Sequence, residues 1–261
     1  MTALPAWVGC WRRRSLTLPG QPVDRTTDVT WLQASRLFVD LRIPAGRPDF
    51  TPCKSLDECT SEQLRWLATQ EGFAGHLEVY GDVYRWHRHF DLSPVQRMPD
   101  AGRMIQHSDG WTESGIFADY EEEWAHVAHR GGVCAATKFI LASGAPTRPW
   151  REGVVVVVDD VFMLAIERSL APSDYATRLS EAFEQHDSTA LREVLDGEIS
   201  YGRYDSARGC AMITRSSLPF REGLRLSIAA GAAESILGFI GSHPTLVGRE
   251  LRWANEANAL C

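Results

Sequence analysis

Along the first half of the chain, apolar and polar positions alternate with the two-residue period of a strand. Leu37-Phe-Val-Asp-Leu-Arg-Ile puts Leu37, Val39, Leu41 and Ile43 on one face and Phe38, Asp40 and Arg42 on the other. Residues 83–92 set Tyr84, Trp86, Arg88 and Phe90 against Arg85, His87, His89 and Asp91. Residues 29–33 precede the first of these segments across the short Ala34-Ser35-Arg36 connection. Residues 76–80 precede the second across Gly81-Asp82, so each pair predicts a hairpin. Residues 9–16, 102–107 and 111–117 predict further strands. Gly9, two residues before Trp11, suits the start of a barrel, because glycine admits a close backbone neighbour and tryptophan can close one end.

Residues 120–128 fit a strand or a helix, since Glu121-Glu122-Glu123 suits either, and we take them as the strand that closes the sheet. The total is about eight strands, the number that leaves a barrel interior wide enough for side chains or one small ligand. A helix is predicted to open at Thr60-Ser61-Glu62, with Leu64, Trp66 and Leu67 as its apolar stripe and Gly72 and Gly75 as its stop.

The second half follows the same plan. Strands are predicted over residues 133–141, 153–158 and 161–166, then a helix after Pro172 and another near Leu191, then a hairpin over 198–204 and 210–218. Residues 224–229 and 246–253 complete a second sheet, and 232–240 are left unassigned. The order hairpin, helix, hairpin thus occurs twice. Phe38 and Phe162 sit at equivalent points, as do Gly75 and Gly197, and Leu92-Ser-Pro and Leu218-Pro. The expectation is an internal duplication: a mainly β chain of two tandem antiparallel β-barrels, residues 1–132 and 133–261, with short helices between hairpins.

Composition narrows the function classes. The 261 residues are 44% hydrophobic and 23% charged, as in a globular protein, and the formal net charge of −7 argues against nucleic acid or anionic lipid as partners. No apolar run approaches the roughly 20 residues that span a bilayer, and no basic-then-apolar leader opens the sequence, so a cytoplasmic location is expected. Cys10, Cys53, Cys59, Cys134, Cys210 and Cys261 show no zinc spacing and are expected to be free thiols. There is no phosphate loop or dinucleotide fingerprint, and Ser216-Ser217 lacks the Gly-x-Ser-x-Gly setting of a hydrolase nucleophile.

Several segments also look alike to a known family. Gly9-Cys-Trp-Arg-Arg-Arg-Ser-Leu, Trp31-Leu-Gln, Phe38-Val-Asp-Leu-Arg-Ile-Pro and Trp86-His-Arg-His-Phe-Asp-Leu-Ser-Pro resemble the Hri family of lipocalin-like proteins, with fungal and bacterial members. Asp100-Ala-Gly-Arg-Met, Ile199-Ser-Tyr-Gly-Arg and Arg215-Ser-Ser-Leu-Pro-Phe-Arg-Glu-Gly carry the resemblance into the second half. It implies two lipocalin-like barrels. The family has no established general activity, so no catalytic residue follows from it.

The most suggestive polar set pools Asp40 and Arg42 with Arg85, His87, His89 and Asp91 on neighbouring strands. If Phe38, Asp40 and Arg42 face inward, the charges must pair. The pair then either holds a carboxylate ligand or a general base, or is a structural network that pins strand register. His87 and His89, two apart, point the same way on a strand. They suit an acid/base pair, a haem ligand, or a metal with a third ligand from His76 or Glu78, and equally they are exposed strand histidines. No metal site is assigned and no cofactor is predicted, haem and metal being left open. Glu121-Glu122-Glu123 reads as a solvated edge from which one residue pairs with an arginine of the first strand. Tyr201, Arg203, Arg215, Arg221 and Glu222 are the corresponding polar set of the second half.

Three functions fit. The first is a lipocalin-like protein binding a small hydrophobic or amphipathic molecule in a barrel, with Arg42, Trp31, Phe38, Arg85, His89 and Trp86 as ligand-binding residues. The second is a cofactor-independent isomerase, cyclase or hydratase using His87 and Asp40 as catalytic groups. The third is a non-catalytic protein-interaction module.

Overall fold

The structure, a computed structural model, describes residues 5–94, 98–127, 134–145, 148–205, 210–227, 251–253 and 259–260. Eight strands of the first half close an antiparallel barrel: β1 (Gly9–Thr17), β2 (Asp28–Gln33), β3 (Leu37–Ile43), β4 (Glu71–Tyr80), β5 (Val83–Asp91), β6 (Asp100–Gln106), β7 (Gly110–Gly115) and β8 (Glu121–His126). Each strand pairs with the next and β8 returns to β1, so residues 121–126 are the closing strand. In β3 the predicted alternation holds. Phe38 joins the interior cluster of Trp11, Trp31, Trp86, Trp111 and Trp124, while Val39, Leu41 and Ile43 pack outside.

The second half is not a second barrel, which corrects the expectation of tandem duplicated barrels. β9 (Cys134–Ala145), β10 (Arg148–Val158), β11 (Val161–Ile166), β12 (Glu198–Asp205), β13 (Cys210–Ser216) and β14 (Arg225–Ser227) form an open sheet. β15 (Leu251–Trp253) and β16 (Ala259–Leu260) pair with β9. Among the described residues β14 lies at one edge and β15 at the other, and the two are not paired with each other. The central strands show why this sheet takes another role. Val154-Val-Val-Val-Val158 and Val161-Phe-Met-Leu-Ala-Ile166 are apolar without alternation, the pattern of a sheet covered on both faces. Val154, Val156, Val158, Val161 and Met163 pack against the barrel's outer residues Leu32, Val39, Leu41 and Ala74. Val155, Val157, Phe162 and Leu164 face the other way with Phe139, Leu141 and Ile213. The predicted boundary at Gly131-Gly132 and the unassigned 232–240 segment lie outside the described residues.

A helical layer ties the halves together. α1 (Ser61–Leu67) starts in a capping box, with Thr60 and Gln63 exchanging bonds. It packs with α2 (Pro172–Glu184) and α3 (Ser188–Val194), the last capped by Asp187 on Thr189 and Ala190. Among the described residues no helix is long and apolar enough to cross a membrane. Cys10, Cys53, Cys59 and Cys210 are free thiols, whereas Cys134 is disulfide-bonded, against the expectation of six free thiols.

Gly72 and Gly75 do not stop the helix. α1 ends before Ala68, and both glycines lie inside β4. A Cβ on Gly75 would stand 1.8 Å from the backbone oxygen of His87, where the register shifts from Ala74 opposite Phe90 to Gly75 opposite Arg88 in a bulge at His89. That bulge turns β5 over. Tyr84, Trp86 and Arg88 share the inner side, but Phe90 packs outward with Ala74 against the second sheet. Gly75→Ala is therefore expected to destabilise the protein by about 1–3 kcal/mol or more, read as a lowered urea midpoint at unchanged slope.

Candidate functional site

One end of the barrel interior holds a cavity of about 330 Å³. Trp31, Phe73, Trp86 and Trp124 supply its apolar wall, and Trp31 meets Trp86 and Trp124 edge-on at 5.8 and 5.6 Å. Above them stands a ring of charge from β3, β5, β7 and β8. Arg42 Nε donates to Asp40 Oδ1 at 2.8 Å, and Arg42 Nη1 reaches Glu122 Oε1 at 3.3 Å. Arg13 Nη1 donates to the same glutamate oxygen at 2.6 Å and its Nη2 to Asp24 Oδ2 at 2.9 Å. Carboxylates and guanidiniums thus alternate from Asp24 to Asp40, each buried charge meeting its opposite. Arg88 lies 3.5 Å over the Phe73 ring and bonds Asp91 and Asp100.

Glu113 departs from this pairing. It faces Glu122 across the β7–β8 ladder and is buried, with Tyr120 Oη donating to Oε1 at 2.6 Å and Trp124 Nε1 to Oε2 at 3.0 Å. Burial and the neighbouring Glu122 charge push its pKa up to about 8. Burial also raises Asp40, to about 6, against the opposing pull of Arg42. Burial thus favours the neutral form of both acids, more strongly for Glu113 than for Asp40, and it is unlike carboxyl groups of this kind that acid–base catalysis uses. Glu113 also makes stability depend on pH. Between the ordinary value of 4.5 and about 8 the folded chain holds a proton that the unfolded chain has lost, so stability falls as pH rises through that window. Glu113→Gln is expected to flatten this decline, checked by urea denaturation from pH 5 to pH 9.

On the outer side of the same wall is a second constellation. His76 and His87 are cross-strand partners with rings stacked 4.5 Å apart and 3° from parallel. His76 Nδ1 lies 2.8 Å from His89 Nε2, and His87 Nε2 lies 2.9 Å from Glu78 Oε2. Among the described residues β5 pairs with β6 over residues 83–86, and beside the later part of β5 is a groove of about 450 Å³ lined by His76, Arg85, His87, His89, Arg168 and Tyr175 among others. Trp86, Arg88 and Asp100 line both spaces, so the Arg88–Asp100 ion pair stands between groove and cavity.

The structure divides the residues singled out from sequence. Trp31, Asp40, Arg42 and Trp86 line the cavity, and Phe38 lies deeper in the interior, edge-on to Phe73 at 5.9 Å. Arg85, His87 and His89 line the outer groove. His87 and Asp40, cast together as acid and base, thus face different spaces. Glu113, Tyr120, Glu122 and Arg88 were not singled out as site residues. The available signal was alternation with tryptophan: Trp111 and Glu113 share one face of β7, and Glu122 and Trp124 share one face of β8, so the carboxylates follow the tryptophans inward. Of the three glutamates, Glu122 makes the pair with an arginine of β1, whereas Glu121 is exposed.

No family model matches the chain, and no curated protein matches it. Among solved structures, the crystal structure of an uncharacterized protein from Bacteroides eggerthii DSM 20697 is similar over 46% of this chain and 99% of that one, at 12% identity and a TM-score of 0.31. At that level of likeness nothing about fold or function follows.

Proposed function

We propose that the barrel binds a small amphipathic molecule and catalyses a cofactor-independent proton transfer on it, of the isomerase, cyclase or hydratase type. Asp40 is the base and Glu113 the acid. The observation that supports this most is the cavity itself, in which an aromatic wall and two unlike carboxyl groups face one shared space at the end of the barrel. Asp40 accepts a proton from the substrate while Glu113 delivers one to the atom where negative charge develops. Arg42 holds Asp40 by its Nε bond, and Tyr120 and Trp124 hold Glu113. Solvent resets both groups after product leaves. The resemblance to the Hri family adds a lipocalin-like container and no chemistry, so the reaction class rests on the cavity alone.

Native mass spectrometry of the protein purified from its own host tests the binding half. A small molecule that co-purifies and is released on denaturation is the expected result, and an empty protein contradicts it. Incubating that molecule with the protein in D2O tests the catalytic half. Deuterium enters the molecule or its product at carbon if Asp40 and Glu113 exchange protons with it, and a molecule recovered without deuterium is bound but not turned over.

A further inference from the structure

The outer wall of the barrel carries chemistry that the cavity does not use. Alternation along β4 and β5 puts His76, Glu78 and His87 on the face opposite Leu77 and Trp86, which point inward. One ligand atom from each of the three lies within 4.8 Å of the others. Glu78 Oε2 is 2.9 Å from His87 Nε2, and Glu78 Oε1 is 3.9 Å from His76 Nε2. Ligands held about 2.0–2.1 Å from a tetrahedral zinc ion stand roughly 3.3 Å apart, so these distances bracket the spacing a bound ion needs. The two imidazoles are stacked 4.5 Å apart and 3° from parallel, so their planes run side by side, and the His87 ring turns out of the stack for both nitrogens to meet one ion.

We propose that His76 Nε2, His87 Nε2 and a Glu78 carboxylate oxygen bind a divalent transition-metal ion of the zinc class on the outside of the barrel. Two imidazoles and one carboxylate are the donor set of such ions, softer than the all-oxygen sites of magnesium or calcium. His89 gives the site the outer hydrogen bond that metal-bound histidines ordinarily have. Its Nε2 meets His76 Nδ1 at 2.8 Å, which fixes the His76 ring with Nε2 turned to the ion. Three protein ligands leave a coordination position for water or a ligand atom, and His76 and His87 both line the roughly 450 Å³ groove. The bulge at His89 is what builds this arrangement. It lets His89 reach back to His76 while His87 stays in register opposite it.

The test is calorimetric titration of the tag-free full chain with ZnCl2, and a parallel titration with CoCl2 followed by visible absorption. One equivalent of zinc per chain, and cobalt bands of a low-coordinate nitrogen–oxygen site, are expected. His87→Ala and Glu78→Gln are each expected to abolish the stoichiometric binding, and His89→Ala to weaken it about 10–100-fold. His186→Ala, an exposed histidine beyond α2, is expected to leave it unchanged. Glu78 is exposed enough that its replacement leaves the fold intact, so a His87→Ala chain that fails to fold does not remove the test. Absence of stoichiometric binding in the unaltered protein, or binding that survives Glu78→Gln unchanged, overturns the proposal.

Discussion

The Glu113→Gln variant is expected to turn over the cavity's ligand about 10²–10⁴-fold more slowly than the unaltered protein while remaining folded. Glutamine keeps the shape of the side chain and an oxygen for Tyr120 or Trp124 to donate to, but it has no proton to deliver at the transition state. Asp40→Asn is expected to cost a comparable factor, because it removes the base and leaves Arg42 beside a neutral amide. The pH dependence of the unaltered protein follows from the same two groups. Activity is expected to rise as Asp40 ionises near pH 6 and to fall as Glu113 loses its proton near pH 8. In Asp40→Asn the residual rate loses the acidic limb, and in Glu113→Gln it loses the basic one. Steady-state rates across pH 5–9 for the three proteins check this. Bell-shaped profiles that survive both substitutions would move the chemistry elsewhere.

Arg13→Ala is the substitution expected to cost most stability, about 3–5 kcal/mol. The Arg13 side chain is 4% exposed and that of Glu122 is 3%, and Arg13 joins Glu122 to Asp24 across the β1–β8 seam where the barrel closes. Its loss leaves Glu122 buried with Arg42 at 3.3 Å and with Glu113 on the facing strand. Glu113 is then expected to hold its proton to still higher pH, because the Glu122 charge that already raises it is less compensated. The double variant Arg13→Ala with Glu122→Gln is expected to recover part of the loss, since it removes the charge left without its first partner. Urea denaturation of the two single variants and the double measures that coupling. Additive losses would mean that the seam ion pair does not act as a unit.

The sequence carries the wall of the barrel better than its contents. β3 alternates cleanly because its two faces meet different surroundings, an interior with charges and an outside covered by the second sheet, and Asp40 and Arg42 are legible for that reason. The same reasoning fails for the second half. The hairpin order of β10 and β11 resembles that of the barrel, but their unbroken apolar runs belong to a sheet packed on both sides. Order of elements does not reveal whether a sheet closes, whereas the absence of alternation does point to a doubly covered one. The pairing of His87 with Asp40 fails on a single strand. Trp86 points in, so its neighbour His87 points out, and two residues on nearby strands, here β3 and β5 with β4 between them, can still belong to different compartments. The bulge at His89 was hidden because it depends on the tertiary approach of Gly75 to the His87 carbonyl. Glu113 was hidden for another reason: an acidic residue in a strand reads as solvated until its tryptophan neighbours are known to face inward.

The central claim is that one cavity at the end of the barrel holds a protonated acid and an ionised base at neutral pH. Carbon-detected NMR of the side-chain carboxyl groups, titrated from pH 4 to pH 10 with Glu113→Gln and Asp40→Asn as assignments, measures this without knowledge of the substrate. Glu113 is expected to titrate near 8 and Asp40 near 6. If both carbons instead complete their titration near ordinary carboxylate values, roughly pH 4, the cavity holds two ionised groups and the proposed acid–base pair does not exist.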